Sequence, residues 1–220
     1  MSFSHQFAVI FDMDGVLVDS NPAHKIALEQ FCAKHGFSLT EEELKERIYG
    51  RTNRTWLTNL FGELSEEKLS EYAHEKEALY REIFAPNIKA VKGLIPFLEE
   101  LYHANILMII GTSAPPENVT FTLSHTHTEK YFSHILDDTF VTHGKPHPEI
   151  YLKAVAKTGL PASQCIVIED SLSGVEAGQK AGCKLIGITT THPKEELKTT
   201  DLIIGDFTEL TLENIRSLIA

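Results

Sequence analysis

Ala8-Val9-Ile10-Phe11-Asp12-Met13-Asp14-Gly15-Val16 is the stretch on which the reading of this chain turns. Four apolar residues run without alternation, which suits a strand buried on both faces, as in a parallel sheet covered by helices. Acids follow at once. In extended backbone, residues two apart project to the same side, so Asp12 and Asp14 are expected to face one site. Open α/β sheets bind their ligands at the carboxyl ends of their strands, where this pair falls.

Further runs of the same kind lie along the chain: Ile106–Ile110, Ile166–Ile168, Leu185–Ile188 and Leu202–Ile204, with a shorter one at Ile135-Leu136. Helical patterns separate most of them. One starts after Gly93 with Leu94, Phe97, Leu98 and Leu101, and another covers Glu149 to Thr158 and stops at Gly159. Alternating strands and helices predict an α/β fold with a doubly wound, mainly parallel Rossmann-like sheet. One interval breaks the rhythm. Residues 20–88 contain no convincing strand. Asn21-Pro22 reads as a helix N-cap followed by proline at the first helical position. Leu69, Tyr72, Ala73, Leu79, Tyr80, Ile83 and Phe84 share one helical face. The expected organisation is an α/β core of residues 1–19 and 89–220, with a small all-helical insert, residues 20–88, placed between its first and second strands.

Composition excludes several classes. The 220 residues are 42% apolar and 23% charged, as in an ordinary globular protein. With 31 acidic against 20 basic residues the net charge is −11, which would repel a nucleic-acid backbone. No apolar stretch approaches the roughly 20 residues of a membrane span. The start, Met1-Ser2-Phe3-Ser4-His5, lacks the features of a secretory signal, so a cytoplasmic location is expected. Cys32, Cys165 and Cys183 are widely spaced and read as buried thiols rather than a disulfide framework or a zinc site.

Two carboxylates held together are costly unless a cation or a proton intervenes, and oxygen-only ligands favour Mg²⁺ over zinc. Asp-Met-Asp-Gly reads equally well as a turn capping the next element. Other strand ends add to it. Thr112 and Ser113 put small hydroxyls after the second strand, Gly144-Lys145-Pro146 supplies a lysine in a stiff context, and Glu169-Asp170-Ser171 brings two more acids. Taken singly, each has a plain reading as a helix cap or a solvated loop lysine. Their recurrence in this order at strand ends is harder to set aside.

The ordered set, Asp12 to Ser20, Thr112-Ser113, Lys145-Pro146 and Glu169 to Ala177, resembles the haloacid dehalogenase superfamily over essentially the whole chain. It is most similar to the β-phosphoglucomutase-like phosphatase branch, and residues 20–88 match that family's mobile cap. The resemblance implies Asp12 as a nucleophile forming an aspartyl phosphate, and Asp14 as general acid and base. It implies Mg²⁺ held by Asp12, the Asp14 backbone carbonyl and Asp170, with help from Glu169. Thr112, Ser113 and Lys145 would hold the phosphoryl oxygens.

Substrate choice would fall to the cap. Gly50-Arg51-Thr52-Asn53-Arg54 matches the family's cap loop, but Asn53 stands where β-phosphoglucomutases carry an arginine that clamps a second phosphate. Arg51 and Arg54 are neighbours able to compensate, or else solvated helix-end arginines. His24 and Lys76 are further cap candidates by alignment with the family. The ten other histidines are read as lacking paired metal-ligand spacing. The implied activity is Mg²⁺-dependent hydrolysis of a small phosphorylated metabolite, a sugar phosphate foremost, by a monomer with no nucleic-acid or membrane partner. A hexose phosphomutase is the nearest alternative. A phospho-accepting signalling domain is remote, because such domains are about half this length and carry their acceptor aspartate after the third strand.

Overall fold

The structure is a computed structural model that describes residues 7–48 and 53–219. Six strands form one wholly parallel sheet: β1 (Ala8–Phe11), β2 (Leu107–Gly111), β3 (His134–Leu136), β4 (Cys165–Glu169), β5 (Lys184–Ile188) and β6 (Leu202–Ile204). Their order is β3-β2-β1-β4-β5-β6. The chain therefore moves outward from β1 through β2 to β3, then returns to β1's other side with β4. That reversal makes the end of β1 the topological switch point, the position at which open α/β sheets bind their ligands.

Alternation along β1 assigns its residues to two cores. Val9 and Phe11 join Met108, Ile110, Ile166 and Ile168 beneath a helical layer that includes α5 (Leu94–His103), α6 (Pro116–Thr126) and α9 (Leu212–Ile219). Ala8 and Ile10 face the opposite layer with Ile109 and Val167, covered by α7 (Glu149–Thr158) and α8 (Leu172–Lys180). Burial on both faces is why the strands are continuous apolar runs. Phe11 has no exposed surface and sits edge-to-face on Phe132, with ring centroids 5.6 Å apart. Truncating a ring so enclosed costs about 3–5 kcal/mol.

The chain divides into two compact units, Met1–Asp19 with Ile88–Ala220, and Ser20–Asn87. The second is helical: α1 (Asn21–Lys34), α2 (Glu41–Arg47), α3 (Asn53–Phe61) and α4 (Glu66–Phe84). Its core gathers Leu28, Phe31, Trp56, Leu57, Leu60 and Leu69, with Phe31 and Trp56 perpendicular at 5.5 Å. On α4, Leu69, Tyr80 and Phe84 are buried, and Tyr72, Ala73 and Leu79 pack partly buried against this core. The start of α1 differs from expectation. Asn21 is already helical, Ser20 precedes it without a side-chain cap, and proline 22 lies within the first turn, where a missing N–H costs nothing. Among the described residues, no helix is long and apolar enough to cross a membrane. The three cysteines are free and buried.

Candidate active site

β1 ends at Phe11, and the chain turns at Gly15 shortly after it. Gly15 adopts φ 75°, the left-handed region that favours glycine. Around it the amide of Gly15 donates to the Val18 carbonyl at 2.8 Å, and that of Leu17 to the Met13 carbonyl at 2.8 Å. Asp12 remains tied to the sheet, its amide donating to the Ile168 carbonyl at 3.1 Å. Pairing of Phe11 with Ile168 then brings Glu169 and Asp170, at the end of β4, beside Asp12.

Lys145 closes the cluster from the loop before α7, where a cis peptide bond joins it to Pro146. Its ammonium donates to Asp12 Oδ1 at 2.7 Å and to Glu169 Oε1 at 2.6 Å, and lies 4.8 Å from the centre of the Tyr151 ring. Asp12, Glu169 and Asp170 are all buried, and one carboxylate oxygen from each falls within 4.8 Å of the others. Burial alone raises the Asp12 carboxyl; Lys145 opposes it, Glu169 and Asp14 reinforce it, and the result is pushed up to about 7. Asp170 is raised well above the carboxylate range by burial, then by Glu169 and Asp12. Lys145 is held charged: burial works against the ammonium, but Asp12 and Glu169 more than offset it.

Glu169 is the best-anchored member. Oε1 accepts from Lys145 and from the Tyr151 hydroxyl at 2.7 Å, and Oε2 accepts at 3.0 Å from each of the Asp170 amide, the Ser171 amide and the Ser171 hydroxyl. These bonds, together with Lys145, hold its carboxyl below the usual range although burial works to raise it. Gly174 on α8 makes room for it: a Cβ there would lie 1.7 Å from Glu169 Oε1. The Gly174→Ala variant should displace the carboxylate and with it Lys145. A displacement of about 1 Å near reacting atoms costs on the order of 100-fold in rate. Steady-state turnover of purified Gly174→Ala is therefore expected to fall by about that factor while its circular dichroism stays native; wild-type turnover would show that the cradle is dispensable.

Thr112, buried at the end of β2, donates its amide to the Leu136 carbonyl at 3.0 Å and accepts from the Ala114 amide at Oγ1, 3.1 Å. Ser113 is exposed. In the helical unit, Lys76 Nζ donates to His24 Nδ1 at 2.9 Å and pairs with Glu77 at 2.9 Å, and the His24 ring stacks on Tyr80 at 3.7 Å. Two cap candidates thus meet. Asn53 and Arg54 have local partners instead. Asn53 Oδ1 accepts from Trp56 Nε1 at 2.9 Å, and Arg54 binds Glu66 through both guanidinium nitrogens, exposed to solvent. Arg51 and Thr52 lie outside the described residues.

Sequence reading missed Tyr151, Thr191 and Gly174. Thr191 donates to Asp170 Oδ2, and nothing in its surrounding stretch marks it as part of a site. Tyr151 falls on the inward face of a helix that was otherwise read correctly. One further correction concerns histidine: His143 and His147 are four residues apart, and with Glu149 they bring potential ligand atoms within 4.8 Å of one another.

A parallel sheet with buried acids and a lysine at its switch point is the arrangement of an α/β enzyme. Comparison with known proteins makes the class specific. The haloacid dehalogenase-like hydrolase family matches residues 9–188. A phosphorylated carbohydrates phosphatase of Thermotoga maritima is 34% identical over 183 residues, 81% of this chain and 83% of its own. A haloacid dehalogenase hydrolase structure, family IA variant 3, from Entamoeba histolytica superposes with TM-score 0.90 at 37% identity, over 97% of this chain and 99% of that one. A β-phosphoglucomutase structure from Clostridium difficile gives TM-score 0.82 at 26% identity, over 96% of each chain. The chain belongs to the haloacid dehalogenase-like hydrolases, in their β-phosphoglucomutase-like branch. It is an enzyme, a hydrolase of that type.

Proposed function

We propose that this enzyme hydrolyses the phosphate monoester of a small metabolite, a sugar phosphate by class, through an aspartyl phosphate on Asp12. The observation that carries the reading is the lysine bridge: Lys145 spans Asp12 and Glu169 inside a buried group of three carboxylates. So much negative charge with one buried ammonium fits a hard divalent cation with oxygen ligands. Mg²⁺ suits the donors, with Asp12, Asp170 and the Asp14 carbonyl as ligands and Glu169 in support. When bound, it neutralises the carboxylates and orients the phosphoryl group.

The residues divide the chemistry between them. Asp12 attacks phosphorus through one carboxylate oxygen while Asp14 protonates the departing alkoxide. Asp14, now ionised, takes a proton from the water that cleaves the acyl phosphate and regenerates Asp12. Lys145 offsets charge on the transferred group, and Thr112, whose oxygen already accepts an amide, offers its O–H to a phosphoryl oxygen. Ser113 supports the same oxygens. Glu169, with five protein donors, acts chiefly by positioning Lys145.

Residues 20–88 are proposed as the cap, with His24 and Lys76 as its substrate-selecting pair and Arg51, Thr52, Asn53 and Arg54 as its loop. Hydrolysis is favoured over mutase chemistry because Asn53 and Arg54 are engaged with Trp56 and Glu66. A mutase needs a strong anchor for a second phosphate, for which a bidentate arginine is best suited. The test is phosphate release over a panel of phosphorylated metabolites, with Mg²⁺ and in excess chelator. Release confined to the Mg²⁺ arm is expected. β-Glucose 1-phosphate with catalytic β-glucose 1,6-bisphosphate completes the panel; glucose 6-phosphate forming much faster than free phosphate would reverse the assignment.

A further inference from the structure

Lys145 is flanked by a second group of ligating side chains that the hydrolytic chemistry does not use. His143 precedes it by two residues and His147 follows by two, and Glu149 opens α7. One ligating atom from each comes within 4.8 Å of the others. His143 Nδ1 donates to Glu149 Oε2 at 3.2 Å, and the two imidazole rings lie 4.7 Å apart at 39°. Bonds of about 2.1 Å in a tetrahedron place neighbouring ligand atoms about 3.4 Å apart, so the first pair already has the required separation. Both imidazoles are exposed to solvent.

The carboxylate is held as a ligand needs to be. The Thr142 and His143 amides donate to Glu149 Oε2 at 3.2 and 3.0 Å, and Lys153 pairs with Oε1 at 2.8 Å. Outer contacts of this kind fix a ligand's orientation. The donor chemistry differs from that of the buried acids. Mg²⁺ takes oxygen ligands, whereas imidazole suits Zn²⁺ and its neighbours. We propose that His143, His147 and Glu149 form a binding site for a borderline divalent transition-metal ion, typified by Zn²⁺, on the loop that carries Lys145. Water would complete the tetrahedron, and the ion would join residues on either side of Lys145.

The test titrates Zn²⁺ into the full-length chain by calorimetry, free of any polyhistidine tag, with excess Mg²⁺ present. Wild type is expected to bind one Zn²⁺ in the micromolar range or tighter. His143→Ala with His147→Ala should weaken that binding roughly tenfold or more. Both rings are exposed, so the fold should persist; His147→Gln alone, with circular dichroism, gives the same comparison under a milder change. Asp12→Asn should leave Zn²⁺ affinity unchanged. Absence of micromolar binding in wild type, equal affinity in the histidine variants, or loss of binding in Asp12→Asn would each overturn the proposal.

Discussion

Asp12→Asn is expected to lower turnover by about 10⁴-fold or more and to abolish covalent capture of phosphate by the protein. The substitution keeps the shape of the side chain but removes the charge that the proposed nucleophilic role requires. Geometry should survive. The hydrogen bond to the Ile168 carbonyl is donated by the Asp12 backbone N–H, and Lys145 keeps its 2.6 Å contact with Glu169. Loss of rate therefore reports chemistry rather than unfolding. The measurement pairs steady-state phosphate release with acid-quench labelling from a ³²P-phosphorylated substrate. Wild type should trap label and the variant none. A variant that turned over normally would show that Asp12 does not attack phosphorus, and the lysine bridge would need another explanation.

Lys145→Ala should combine a kinetic and a structural penalty. Its ammonium has a side-chain exposure of 7% and faces Asp12 and Glu169, themselves 9% and 0% exposed. Removing one partner of a buried ion pair costs about 3–5 kcal/mol, because the remaining charges stay desolvated. Removing a preorganised charge from the reacting group costs about 10²–10³ in kcat. Mg²⁺ separates the two effects. Saturating Mg²⁺ should restore much of the urea midpoint, since it too neutralises the carboxylates, but little of the rate. Unchanged stability in chelator would mean that the carboxylates are neutral in the folded protein without their lysine. Retained kcat would exclude Lys145 from the reaction.

The parts of this site legible in the sequence are those where local pattern and tertiary role coincide. β1, β2 and β4 are buried on both faces, so their apolar runs are visible, and the acids after β1 and β4 and the hydroxyls after β2 fall at the carboxyl end of the parallel sheet by construction. Asp12 and Asp14 are legible because they follow the apolar run of β1 directly, and Gly15 behind them signals the turn that the chain makes there. Tyr151 and Thr191 could not be found this way. A tyrosine on a buried helical face looks like any core residue until Glu169, eighteen positions on, is known to lie beneath it. The histidine pair at 143 and 147 was legible by spacing, but its carboxylate lies across a turn whose geometry the spacing does not carry. In the helical unit the pattern gave α4 well, whereas α2 offers little apolar periodicity and is fixed at its start by a reciprocal bond pair between Thr40 and Glu43.

The central position of β1 also has a consequence for how the chain is made. Residues 8–11 leave the ribosome well before their neighbours in the sheet, residues 107–110 and 165–168. At about 5–20 residues per second, the second neighbour emerges some 10–30 seconds later. Until β2 emerges β1 has both edges open, and until β4 emerges one edge stays open, the condition under which nascent chains aggregate or engage chaperones. Residues 20–87, made in between, have their own apolar core and mostly local contacts, so that unit should condense first. Productive assembly of the sheet is therefore set by the arrival of β4, and slowing synthesis before residue 165 should lengthen chaperone occupancy in a pulse-labelled translation reaction.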